Sequence, residues 1–139
     1  MSVGPLTRLS AVVRLRLAVV AVVILLVAAA CGGSTTYTLA RSKSCLQQRG
    51  VSIGGPLDFV ANTATGGAFR ANMTDNWVTV AFGDNVKSGV DIENAYTRFA
   101  GANIRAGLSD VLRRYNNAVT LWHQHPNDSD LSLVVGCLR

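Results

Sequence analysis

Two regimes of apolar and polar patterning divide the chain. Residues 17–30, from Leu17 to Ala30, are apolar without interruption. The run therefore lacks the polar stripe of a surface helix in a globular protein. From residue 37 onward, short periodic segments alternate with Gly, Asn and Pro punctuation. Phe69, Ala71 and Met73 alternate with Arg70 and Asn72, Thr74-Asp75-Asn76 supplies turn chemistry, and Val78, Val80 and Phe82 resume the alternation. This predicts a β-hairpin with a three-residue loop. Ser88-Gly89-Val90-Asp91 has the spacing of a capping box, and Ile92, Ala95, Tyr96 and Phe99 then share one helical face, closed by Gly101.

The remaining elements follow from the same signals. Residues 37–39 predict a short strand, residues 41–49 a helix stopped by Gly50, and residues 51–53 a strand entry. Residues 54–67 carry Gly54-Gly55-Pro56 and Gly66-Gly67, forming the longest irregular stretch and the first candidate for a binding loop. Residues 109–115 read as a short helical piece, Asn116-Asn117 as a turn, and residues 118–123 as a strand. Pro126 breaks the chain, and Asn127 or Asp128 caps a last helix bearing Leu131, Val134, Val135 and Leu138 on one stripe. The expected fold class is α+β: a small antiparallel sheet with helices on one face, preceded by an N-terminal hydrophobic helix. The element order admits a ferredoxin-like βαββαβ plan with an added C-terminal helix.

The apolar run has the anatomy of an export segment. Arg8, Arg14 and Arg16 form a basic region ahead of 14 apolar residues, a length nearer a signal-peptide core than a membrane span. Ala28-Ala29-Ala30 is a small-residue cleavage pattern, and Cys31 follows directly. Together these residues resemble the lipobox of bacterial lipoproteins, with Ala28 where that family carries Leu, Val or Ile. The resemblance implies lipidation of Cys31 as the mature N-terminus. Retention as an uncleaved signal anchor and cleavage with release are the alternatives. In each case the positive charge stays cytoplasmic and the residues after 31 face outward. The expected organisation is a leader over residues 1–31, a Gly/Ser/Thr tether over 32–36 and an exported domain over 37–139, at the cytoplasmic membrane and attached through residues 14–31.

Setting the leader aside changes the composition. The formal charge of +5 includes three leader arginines and no leader acid, so the rest carries 10 basic and 8 acidic residues, or +2. That balance leaves no nucleic-acid footprint, which requires a clustered basic face. The 11 arginines against 2 lysines suggest a GC-rich genome, and residues 37–139 resemble small exported proteins of GC-rich bacteria, a likeness that carries no activity. Cys45 and Cys137 remain after Cys31, and in an exported chain such a pair predicts a disulfide.

Candidate chemistry is sparse. His123 and His125 are the only histidines. On a strand, alternate positions share a face, so the pair is a candidate ligand set for zinc or copper, with Asp128 and Asp130 nearby. No Gly-x-Ser-x-Gly, His-Glu-x-x-His or P-loop motif occurs. The expected function is a non-catalytic module that binds a protein, envelope component or small ligand outside the membrane through residues 54–67 and an exposed tryptophan. The alternatives are a small exported enzyme or a metal-binding domain using His123 and His125.

Overall fold

A computed structural model describes residues 36–100 and 105–139. The leader, Cys31 and most of the tether therefore lie outside the described residues. Among the described residues ten elements follow in order: α1 (Leu39–Gln48), β1 (Ser52–Ile53), α2 (Phe59–Asn62), β2 (Ala68–Asn72), β3 (Trp77–Phe82), α3 (Val86–Phe99), α4 (Leu108–Val111), β4 (Leu112–Tyr115), β5 (Ala118–Trp122) and α5 (Asp128–Gly136). Among the described residues no helix is long and apolar enough to cross a membrane.

The five strands form one antiparallel sheet in the order β1-β2-β3-β5-β4. The fold class is α+β as expected, but the helices lie on both faces of the sheet. On β3, Val78, Val80 and Phe82 join Phe69 and Ala71 of β2 and Ala118 and Trp122 of β5 in a core with Leu46 of α1 and Val134, Cys137 and Leu138 of the last segment. The alternate positions Ala81 and Val119 face a second core with Val60 and Ala61 of α2 and Ile92 and Tyr96 of α3. The hairpin alternation marks only the larger side chains. Small residues on the opposite face, together with Leu121, are apolar enough to hold a second helical layer.

The ferredoxin-like order is also corrected. Residues 37 and 38 join no strand, and Leu39 opens α1. Tyr37 instead donates its amide to the Asn117 side-chain oxygen at 2.7 Å, while the Asn117 amide donates to Tyr37 O at 2.9 Å and to Gly83 O at 2.7 Å. A buried side chain thus takes the place of a strand partner. β3, α3 and β4 instead make a split βαβ unit, with β5 inserted between two strands that run the same way, and its last strand falls on residues expected to be helical.

Several local expectations need adjustment at their boundaries. The hairpin is present, although its connection is Met73–Asn76, closed by Met73 N donating to Asn76 O at 2.9 Å. The cap of α3 is Asn85, whose side chain accepts from Ser88 N at 3.0 Å, so Ser88 lies inside the helix. Residues 109–115 divide between α4 and β4, which puts Arg113 and Arg114 on a strand. Arg114 there meets Glu93 of α3 at 2.7 Å. Gly50 ends α1 at φ +81°, a conformation that favours glycine, and Asn127 caps α5 by accepting from Asp130 N at 2.8 Å.

Cys45 and Cys137 form the expected disulfide, with Cα atoms 5.4 Å apart across a separation of 92 residues. It joins α1 to the C-cap of α5 within one layer. Replacing both cysteines with serine is expected to lower the unfolding free energy in urea by about 2–4 kcal/mol. Asn117→Ala, which strips partners from Tyr37 and Gly83, is expected to cost ~2–4 kcal/mol in the same assay. The exposed Asn94→Ala serves as the neutral reference.

Candidate functional site

The longest irregular stretch of the sequence contains a short helix. Asp58 caps α2 by accepting from Ala61 N through Oδ1 at 2.9 Å. In that single turn Val60 and Ala61 point into the second core, while Phe59 is left 71% exposed. The other carboxylate oxygen of Asp58 accepts from the Tyr96 hydroxyl of α3 at 3.1 Å. One side chain thereby starts α2 and ties it to α3.

Beside this tie a cleft of about 520 Å³ opens. Phe59, Val60 and Asp58 line it from α2, Tyr96, Phe99 and Ala100 from α3, and Leu108 and Val111 from α4. Trp77, Leu121, Trp122 and His123 line it at the ends of β3 and β5. Apolar and aromatic side chains dominate, with few polar groups, as in small-ligand sites of this size. At the rim, Phe59 and Phe99 meet edge to face with centroids 6.1 Å apart. Phe99 is 66% exposed, whereas its position on the Ile92-Tyr96 stripe predicted a core residue.

The opposite rim is a stack. His123 follows β5 directly and lies nearly parallel to Trp77, with centroids 4.8 Å apart. From β2, the Arg70 guanidinium carbon sits 3.9 Å from the centroid of the same indole. Arg70 also donates to Asn72 Oδ1 at 3.0 Å. A cation from β2 and an imidazole just past β5 therefore both meet the ring of Trp77. Trp122 is buried, and its indole Nε1 has no acceptor among the described residues.

Burial is the main cause holding the Tyr96 phenol above its ordinary pKa, and the charge and hydrogen bond of Asp58 act in the same direction. Tyr96 is thus a protonated donor in the cleft wall rather than a proton acceptor. Both histidines are exposed and follow the end of β5, and of the two His123 lines the cleft. Among the described residues no group of three or more His, Cys, Asp or Glu side chains gathers where it would hold a metal ion. The binding loop predicted over residues 54–67 supplies Asp58, Phe59 and Val60. Phe99, Leu108 and Val111 were missed, and the one legible signal was a large aromatic directly after the Asp58 cap.

Family models, curated proteins and solved structures yield no match to this chain, so the cleft is read from its own geometry.

The Tyr96 proton is held more tightly in the folded than in the unfolded chain. Its contribution to stability is therefore complete below the ordinary value of 10.0 and is lost as pH rises above it. Urea unfolding as a function of pH is expected to show stability falling above pH 10.0 in the native chain, with a shallower fall in Tyr96→Phe.

Proposed function

We propose that this chain is an exported, membrane-associated binding module without catalytic activity, and that its cleft takes a small apolar or aromatic ligand on the outer side of the membrane. The observation that carries the reading is the apolar cleft of about 520 Å³ with two exposed phenylalanines at its mouth. Exposed rings of that size are costly to leave in water, so a site that covers them gains from the apolar area removed. Of the three titratable side chains that line the cleft, Asp58 and Tyr96 are bonded to each other and His123 is stacked on Trp77, which favours binding over catalysis. The leader residues 1–31, with their basic region, apolar run and Cys31, support outward placement at the cytoplasmic membrane by lipidation or by retention as an anchor.

The test is titration of a chain beginning at Thr36 with an anilinonaphthalene dye, followed by fluorescence. One dye is expected to bind per chain, and Phe59→Ser with Phe99→Ser is expected to weaken it at least about tenfold. Both positions are exposed, so the melting temperature should stay close to that of the native chain. Unchanged dye affinity in the double variant would overturn the cleft as the binding site.

A further inference from the structure

The domain surface has a second concavity, which shares no lining residue with the cleft. Arg41 on α1, Arg49 at its C-cap and Arg139 from the far end of the sequence line one open concavity with Ser44 and Gln48. Arg41 and Arg49 lie about two helical turns apart, and both border this same hollow. None of the three arginines forms an ion pair among the described residues, where the two pairs present are Lys87–Asp91 and Arg114–Glu93. Residues 36–57 contain no Asp or Glu.

The concavity borders the point where the chain enters the domain. Thr38 N donates to Arg139 O at 2.6 Å, and Ser42 Oγ accepts from Arg139 N at 3.1 Å. Only residues 31–35 separate the apolar run from the first described residue. Even fully extended, they reach roughly 20 Å.

We propose that the face formed by Arg41, Arg49 and Arg139 docks on the anionic phospholipid surface of the membrane into which the leader inserts. The inference rests on the membrane-associated reading. Planar guanidiniums suit phosphate oxygens, and a basic group held near an anionic bilayer gains roughly fivefold in affinity for each residue.

The experiment uses the full chain mixed with phosphatidylcholine vesicles or with equimolar phosphatidylcholine–phosphatidylglycerol vesicles. Flotation reads insertion of the leader, and phenylglyoxal modification mapped by mass spectrometry reads each arginine, with Arg98 as internal reference. The expected result is flotation with both vesicles, and modification of Arg41, Arg49 and Arg139 slowed roughly fivefold in the anionic vesicles alone, with the slowing removed by high salt. Flotation with equal modification rates in both vesicles overturns the docking face and leaves the anchored reading standing. Protection in anionic vesicles without flotation on phosphatidylcholine supports the face and overturns anchoring by the leader. Equal protection by inorganic phosphate added to phosphatidylcholine vesicles assigns the concavity to a free anion and overturns docking.

Discussion

The two central strands are buried on both faces, and this constraint organises the rest of the domain. Five consecutive residues of β3, from Val78 to Phe82, are buried, as are four of the five residues of β5. Such strands cannot lie at an edge, and each needs an apolar layer above and below. The α1–α5 pair supplies one layer and the α2–α3 pair the other. The edges fall to β1, only two residues long, and to β4, where Arg113 and Arg114 sit; short or charged edges limit pairing with other chains.

The cleft follows from the inequality of the two layers. The first is closed by a disulfide and joins the larger side chains of β2, β3 and β5. The second rests on the smaller Ala81 and Val119, and α2 has only four residues. Where that layer ends, aromatic side chains from α2, α3, β3 and the end of β5 surround space instead of filling it. The floor and the rim therefore answer to different demands. Tyr96 belongs to the core as well as to the cleft, while Phe59 and Phe99 are largely free of the core.

Local chemistry was legible in the sequence, and long-range assembly was not. The period-two alternation around Thr74-Asp75-Asn76 revealed the hairpin, Asn127 announced the last helix, and the two cysteines beyond the leader implied their bridge. Each signal is carried by neighbouring residues or by a single chemical pairing. The second buried face was obscured because Thr79 and Ala81 read as the weak half of an alternation. Phe99 keeps helical phase with Ile92 and Tyr96, yet it stands at the cleft mouth and not in the core, and phase carries no information on where a partner layer ends. Asn85 and Ser88 both have capping chemistry, and only the backbone decides between them. The arginine face escaped notice because Arg139 joins Arg41 and Arg49 only when the two ends of the domain meet.

The bridge between Cys45 and Cys137 also has a mechanical meaning. Every residue from 46 to 136 lies inside the covalent loop that it closes, and that loop contains the whole sheet and all the residues lining the cleft. Tension applied between the two ends of the domain runs through the start of α1, across the sulfur atoms and out through the last residues. While the bridge is intact, such a pull can extend only the short arms outside the loop, so the cleft is shielded from traction on the chain ends.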